Sequence, residues 1–192
     1  MKKGGHYDAS GLIEAQFEPG SHGRVLKNLL GIKSKREMDQ AESEEQLCAL
    51  EELIRIYDQN HRFTSADVRR IHKIWLGPIY AWAGQYRRVN LSKGDFPFAA
   101  ANQIPRLMME LEKGPLRQYT PCRFTVMDEI VRAIAIVHTA LLLIPPISRR
   151  QWTDRPSFGN LDGFTGRTTT LAFWWYKREE AAKVFRSSTG RF

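Results

Sequence analysis

Three short motifs of the kind that begin α-helices recur along this chain, and they constrain its fold more than any other feature. Each places Ser or Thr three residues before Glu or Asp, so that both side chains can satisfy free backbone N–H groups of a first helical turn. The motifs span residues 34–37, 64–67 and 125–128. Apolar residues follow each motif at three- and four-residue steps, which predicts amphipathic helices and an all-α fold.

The limits of these helices can also be predicted. The first should run to about Gln59, the second should stop at Gly77-Pro78, and the last should stop at Pro145-Pro146. A shorter helix should begin at Ile104-Pro105, with proline in its first turn, and close at Gly114-Pro115. The predicted inward residues, helix by helix, are Leu47, Leu50, Ile54 and Tyr57; Val68, Ile71, Trp75 and Leu76; Leu107, Met108 and Leu111; and Ile130, Ile134, Val137 and Leu141.

Composition excludes several classes of protein. With 42% hydrophobic and 11% aromatic residues, the 192-residue chain can build one core and is not globally disordered. The longest apolar run, Ala140 to Ile147, is too short for a membrane span and is typical of a central buried helix. The first residues lack the apolar segment of a signal peptide, and Cys48 and Cys122 have neither metal-site nor disulfide spacing. We therefore expect a cytoplasmic protein with no membrane partner.

A small β-hairpin is predicted between the second and third helices. Residues alternate around Val89 and Leu91, Lys93-Gly94-Asp95 can form a turn, and Phe96 and Phe98 follow it. The edge of such a hairpin can pair with an extended segment of another protein by strand addition. The alternative is a solvated hairpin whose two phenylalanines pack on the domain.

The hairpin belongs to a longer string, which runs Trp82-Ala-Gly, then Arg87, then Val89-Asn-Leu-Ser-Lys-Gly-Asp-Phe-Pro-Phe98. This string resembles the flap region of Fic-domain proteins. The family has W-A-G and R-x-V-N-x-S-K-G-x-F-x-F between two helices, and the segment His138 to Ile144 is similar to the helix that leads into its catalytic loop. The resemblance covers about residues 24–144. It implies a Fic-type helical bundle with a β-hairpin flap.

The resemblance also implies an activity and site residues. Fic proteins of this type are protein adenylyltransferases, which move AMP from Mg²⁺-bound ATP to a Ser, Thr or Tyr hydroxyl of a target protein. The flap residues implied to dock the target are Ser92, Lys93, Gly94, Asp95 and Phe96. Tyr80 and Lys93 are implied to border the nucleotide, although core packing is an equal alternative for Tyr80. The inhibitory pattern S/T-x-x-x-E-(G/N) of many relatives is not found, so we expect a separate inhibitor protein or none.

Two histidines are expected to have no catalytic role. His138 lies mid-helix beside apolar residues and is expected to be a hydrogen-bonded core residue. His72 shares a helix with Arg69, Arg70 and Lys73 and is expected on a solvated basic face.

The catalytic loop of the family is missing from its expected place. The loop reads H-P-F-x-(D/E)-G-N-G-R, in which His acts as general base, the acidic residue holds Mg²⁺ and the glycine-rich turn cradles phosphates. At positions 145–156 this chain reads Pro-Pro-Ile-Ser-Arg-Arg-Gln-Trp-Thr-Asp-Arg-Pro. We therefore expect no intact catalytic residue, no metal ligand and no productive binding of ATP and Mg²⁺.

A change of reading frame accounts for this departure. Codons for residues 145–157 can be regrouped by one base to encode H-P-F-R-E-G-N-G-R-T-A-R. One Gly of that string is forced at the junction of Trp152 and Thr153, because Trp has a single codon. We infer a single-base insertion between Ile144 and Pro145, in the gene or in its sequencing. The predicted parts are a flexible arm (1–23), an incomplete Fic-like domain (24–144) and an out-of-frame, aberrant or disordered tail (145–192).

Two other functions remain open besides an inactive adenylyltransferase remnant. The first is a non-enzymatic protein that binds peptides through the flap. The second is a nucleic-acid binder, suggested by the net charge of +8 and by Arg149, Arg150 and Arg155 around Trp152. The tail from residue 145 carries nine Lys and Arg against four Asp and Glu, so most of the charge excess lies in the part that the frameshift would make accidental. Nucleic acid is therefore not the expected partner.

Overall fold

The described helices confirm the all-α fold class. The structure is a computed structural model that describes residues 11–93 and 96–145. Within these ranges the helices are α1 (Lys35–Ile56), α2 (Ser65–Leu76), α3 (Ile104–Leu111), α4 (Arg117–Tyr119) and α5 (Met127–Leu143). A two-stranded antiparallel hairpin, β1 (Ser92–Lys93) and β2 (Phe96–Pro97), lies between α2 and α3. None of the helices in the described ranges is long and apolar enough to cross a membrane.

The inward face of α1 differs from the predicted one. Ser34 caps the helix as expected, since its hydroxyl accepts a hydrogen bond of 3.5 Å from the Glu37 backbone N–H. Leu47 and Ile54, however, are 67% and 50% exposed, so their predicted core role is wrong. The helix ends at Ile56 rather than near Gln59. Its buried residues are Met38, Glu42, Ala49 and Leu53.

A buried carboxylate explains this error. Glu42 lies on the face of α1 that packs against α2, and its Oε1 accepts a hydrogen bond of 2.8 Å from the Tyr80 hydroxyl. The Glu42 carbonyl oxygen accepts a second bond, of 2.9 Å, from Nε1 of Trp75. Buried acidic groups are tolerated where such partners exist. A pattern of apolar residues cannot predict a buried carboxylate. The predicted inward face of α1 therefore excluded Glu42.

α2 follows the prediction closely. The Thr64 hydroxyl accepts a hydrogen bond of 3.2 Å from the Asp67 backbone N–H, and Asp67 Oδ2 accepts one of 2.9 Å from the Thr64 backbone N–H. The predicted capping box is therefore complete. The helix ends before Gly77, as expected. All four predicted inward residues are buried, namely Val68, Ile71, Trp75 and Leu76.

Two core clusters meet at α2. The C-terminal half of α2 packs with the N-terminal segment, α1 and the turn after α2; the cluster includes Val25, Leu26, Met38, Trp75, Leu76, Ile79 and Trp82. The N-terminal half of α2 packs with the end of α1, α3 and the end of α5; this cluster includes Leu53, Tyr57, Val68, Ile71, Ile104, Met108, Leu111 and Ile144. The second cluster therefore brings the last residues of α5 close to the middle of the fold.

The chain continues in helical form beyond the predicted end of α3. Gly114-Pro115 was expected to close this helix, but both residues lie inside a π-helical turn, Glu112–Leu116, that leads into α4. A π turn is wider than an α turn, and it accommodates a proline ring and its missing N–H where an α turn would not. Leu116 is consequently buried and joins the second cluster.

α5 confirms one expectation and corrects two. It ends at Leu143, before Pro145, as predicted. Its N-cap is Val126, with no side-chain hydrogen bond, so the predicted capping box at 125–128 does not form. Ile130 and Ala133 are the fully buried residues of the helix, whereas Leu143 is 53% exposed. Within the described residues α5 packs on the π turn and α4, which accounts for a half-buried rather than a central helix.

The described part of the predicted N-terminal arm is folded. Ile13–Ala15 forms a 3₁₀ turn, and Phe17 forms an isolated antiparallel bridge with Leu26. The Ser21 hydroxyl is buried and donates a hydrogen bond of 3.2 Å to the Val25 carbonyl oxygen. Residues 11–23 therefore pack on the domain. Residues 1–10 and the predicted tail from 146 onward lie outside the described residues.

Candidate functional site

The turn Trp82-Ala83-Gly84 is bound to α2 on both sides of its glycine. The Gly84 backbone N–H donates a hydrogen bond of 3.1 Å to Nδ1 of His72, and Nε of Arg69 donates one of 2.9 Å to the Gly84 carbonyl oxygen. The ring centroids of His72 and Trp82 lie 5.9 Å apart. His72 is therefore half-buried at a packing contact, not on a solvated face as expected.

A hairpin forms at the predicted place, but its strands have two residues each and do not include Val89, Leu91 or Phe98. Ser92 pairs with Pro97 and Lys93 pairs with Phe96, so Lys93 is a strand residue and not a turn residue. A further bond of 3.0 Å joins the Phe98 backbone N–H to the Leu91 carbonyl oxygen. Three of the predicted docking residues, Ser92, Lys93 and Phe96, therefore lie on the two paired strands, and Ser92 is exposed.

Gly94 and Asp95 lie outside the described residues. The predicted docking role of the five flap residues, and the nucleotide contact predicted for Lys93, stay predictions.

Tyr80 lies in the first core cluster. It is 4% exposed, its ring stacks on Trp82 with centroids 4.7 Å apart, and its hydroxyl donates the bond to Glu42. This position corresponds to the core-packing alternative left open by the sequence. Contact with a nucleotide stays an untested prediction for this residue.

Among the described residues, Arg87 is the largest of the fully buried side chains, with 1% exposed. Its Nε donates a hydrogen bond of 2.7 Å to the carbonyl oxygen of Pro145, and Nη1 donates one of 2.7 Å to that of Val89. Nη2 donates to the carbonyl oxygens of Ile144, at 3.2 Å, and of Ala99. The guanidinium therefore joins both ends of the flap to the end of α5, where the catalytic loop is expected to start.

The charge of Arg87 is balanced without a direct ion pair among the described residues. Burial lowers the pKa of the guanidinium, and the Glu14 carboxylate acts in the opposite direction. Glu14 is itself buried, and its Oε1 accepts a hydrogen bond of 2.6 Å from the Arg88 backbone N–H. The N-terminal segment thus also contacts the chain just before β1, at Arg88.

No role was predicted for Arg87, although it forms part of the flap string. Its partners are main-chain carbonyls up to 58 residues away, which no side-chain pattern reveals. One signal was available, because the last turn of α5 contains no basic residue to balance its negative end. A cation from elsewhere in the chain could have been expected there.

Pro145 is the last described residue, so the positions expected to carry catalysis, 145–156, lie outside the structure apart from this one. The described residues contain no cluster of three or more His, Cys, Asp or Glu side chains suited to a metal ion. The described residues form a short two-stranded flap, and Arg87 attaches the two ends of this flap to the end of α5. The fold therefore defines a class of protein: a helical domain with a β-hairpin flap that is attached to the end of its last described helix.

Comparisons with known proteins identify the class. The fold is similar to the crystal structure of the N-terminal Fic domain of a Bartonella effector protein from Bartonella sp. AR 15-3 (TM-score 0.62, 18% identity, covering 95% of this chain and 77% of that one). It is also similar to the N-terminal Fic domain of a putative cell filamentation protein from Bartonella quintana, with bound ADP (TM-score 0.53, 24% identity, covering 68% and 67%). At these identities the likeness shows the fold.

The sequence comparison gives a partial family match. Residues 62–146, which make up less than half of the chain, match the model of the Fic/DOC family. The chain is also 32% identical over 93 residues to protein adenylyltransferase VbhT of Bartonella schoenbuchensis. That match covers 46% of this chain and 19% of the relative, so the chain spans a small part of it.

Proposed function

We propose that this chain is the front part of a Fic-type protein adenylyltransferase whose reading frame changes after Ile144, and that the chain as written does not transfer AMP. The observation that carries the proposal is the position at which the family match stops. It ends at residue 146, beside the inferred insertion and at the place where the family's catalytic loop should begin. The relative named a protein adenylyltransferase supports the choice of reaction.

The intact relative would use the flap and the missing loop together. The flap would hold an extended target segment by strand addition, and the loop histidine would take a proton from the target hydroxyl as it attacks the α-phosphate. ATP bound with Mg²⁺ would supply the AMP group, and pyrophosphate would leave as the bond between the α-phosphorus and the bridging oxygen to the β-phosphate breaks. Residues 145–156 of this chain do not fit Mg²⁺, because their one acidic residue, Asp154, does not stand at the metal position of the family loop. Loss of base, metal ligand and phosphate cradle together removes most of the transition-state stabilisation.

The DNA around the codon of Ile144 gives the first test. Codons for residues 145–157 that regroup to H-P-F-R-E-G-N-G-R-T-A-R support the insertion. Codons that cannot regroup in this way contradict it.

A transfer assay with labelled ATP and Mg²⁺ gives the second test. It compares the 192-residue chain with a frame-restored protein, made by deleting the first base of the Pro145 codon. We expect the restored protein to label a protein, itself or a target, at least about 10³-fold faster than the chain as written. The restored protein with alanine at the first loop position is the matched control. Clear labelling by the chain as written would contradict its proposed inactivity.

A second candidate is a non-enzymatic peptide binder. It is favoured by the hairpin, which within the described residues is paired and is attached to the end of α5 through Arg87. Each of the two described strands has one edge without a strand partner among the described residues. Binding of extended peptides to the chain as written, without labelling, would favour this candidate.

A further inference from the structure

Arg87 links the flap to the end of α5 through the hydrogen bonds of its guanidinium group. Its four acceptors belong to three stretches of chain: Val89 before β1, Ala99 after β2, and Ile144 with Pro145 at the end of α5. The planar guanidinium fork can bind all of them at once because its donors point in fixed, different directions.

Electrostatics explains why a cation can be buried there. The last carbonyl groups of an α-helix have no partner within the helix and carry its negative partial charge. α5 has no basic residue in its last turn, so Arg87 satisfies the carbonyls of Ile144 and Pro145 from a different segment. Glu14 contributes a further favourable charge. An apolar residue could fill the space, but it would leave the two buried acceptors, of Ile144 and Pro145, and the two part-buried ones, of Val89 and Ala99, without this donor.

We propose that Arg87 is a positioning residue that fixes the flap relative to the start of the catalytic loop. The catalytic effect of Arg87 rests on the proposed adenylyltransfer reaction. In that reaction a target hydroxyl held by the flap must lie within hydrogen-bond reach of the first residue of the loop. Reactions of this kind are sensitive to misplacement by about 1 Å. The coupling itself is a property of the described residues and can be tested in the chain as written.

Hydrogen exchange of the full 192-residue chain tests the coupling. The variants are Arg87→Lys, which keeps the charge but loses the fork, and Arg87→Met, which fills the space without donors. Arg88→Lys is the matched control, because the side chain of Arg88 is exposed and only its backbone N–H contacts Glu14. Amide exchange is followed by mass spectrometry in peptides that cover the hairpin, the end of α5 and α2.

We expect both Arg87 variants to speed exchange at the hairpin and the end of α5 by about tenfold, while α2 changes by less than about twofold. Arg88→Lys should leave all three regions unchanged. An equal change in all regions, or a loss of folding in Arg87→Lys that Arg88→Lys does not share, would show a role in global stability and overturn the proposal. No change at the hairpin would overturn it as well.

The frame-restored protein separates this inference from the proposed function. There Arg87→Lys should lower kcat by about tenfold or more with little change in the KM for ATP. An equal fall in kcat for Arg88→Lys would contradict the assignment. If the restored protein transfers no nucleotide, the proposed reaction fails, while the exchange experiment still decides whether Arg87 couples flap and loop.

Discussion

The backbone N–H of Gly84 donates a hydrogen bond of 3.1 Å to Nδ1 of His72, and this contact brings the turn after Trp82 against α2. Gly84 has a φ of +79°, and a Cβ atom added to it would lie 2.8 Å from Cβ of Lys73 and 3.1 Å from the Arg69 carbonyl oxygen. Both its conformation and its surroundings therefore require glycine.

The first prediction concerns this turn. Gly84→Ala should lower the free energy of unfolding by about 2–4 kcal/mol, from left-handed strain and steric overlap together. Gly31→Ala is the control, since Gly31 has a φ of +67° but open space around its Cβ position. It should cost about 1 kcal/mol, from strain alone. Urea unfolding measures both, and equal losses would show that the close contact with α2 is unimportant.

The second prediction concerns the cap of α2 and its response to acid. Burial alone would raise the pKa of Asp67, but hydrogen bonds from Thr64, His61 and Tyr57 outweigh it and hold the pKa below its usual value. A lowered carboxyl pKa stabilises the fold above the pKa of the unfolded chain, and this stability is lost as pH falls through the folded value. Asp67→Asn should therefore reduce stability at pH 7 by about 1–2 kcal/mol and should reduce its dependence on pH below about 4.

Asp128→Asn is the matched control for that experiment. Asp128 occupies the same place in the third predicted motif, but α5 has no side-chain cap. The substitution should change stability by less than about 0.5 kcal/mol. A loss as large as that of Asp67→Asn would contradict the absence of a cap at α5.

The third prediction tests the corrected face of α1. Leu53 is 1% exposed and Leu47 is 67% exposed. Leu53→Ala should cost about 2–5 kcal/mol, whereas Leu47→Ala should stay within about 0.5 kcal/mol. The midpoint of urea unfolding measures both. A large effect at Leu47 would instead favour the face predicted from the apolar spacing.

The fourth prediction concerns Tyr80. Tyr80→Phe removes the donor to the buried Glu42 carboxylate and should cost about 1–3 kcal/mol at pH 7. Tyr119→Phe is the control and should cost less, because Tyr119 is only half-buried. If Tyr80 instead borders the nucleotide, Tyr80→Phe would weaken ATP binding to the frame-restored protein, a result that calorimetry can separate from a change in stability.

The parts of the fold that could be predicted are those set by local chemistry. Thr64 and Asp67 are three residues apart and cap their helix with their own side chains, so the sequence is sufficient to place the start of α2. Pro145 likewise excludes continuation of α5. The hairpin was predictable for the same reason, because its pairing joins residues on either side of a short connection.

The parts that could not be predicted depend on distant partners. Glu42 is buried because of Tyr80, and Arg87 because of the carbonyls of Ile144 and Pro145. In both cases a charged residue is buried in the core. A pattern of hydrophobic residues does not predict such a position. Thr125 and Asp128 show the reverse error, since they match a capping motif but do not form its hydrogen bonds.

The second core cluster also constrains the order in which the chain folds. Leu53 and Ile144 belong to this cluster, although most of the described chain separates them. Closing so long a loop costs little extra stability, because the entropy grows only logarithmically with length, but contacts between distant positions slow folding. α1 and α2 pack across a short connection and can associate first. We therefore expect refolding to protect the α1–α2 pair early and to dock the end of α5 last.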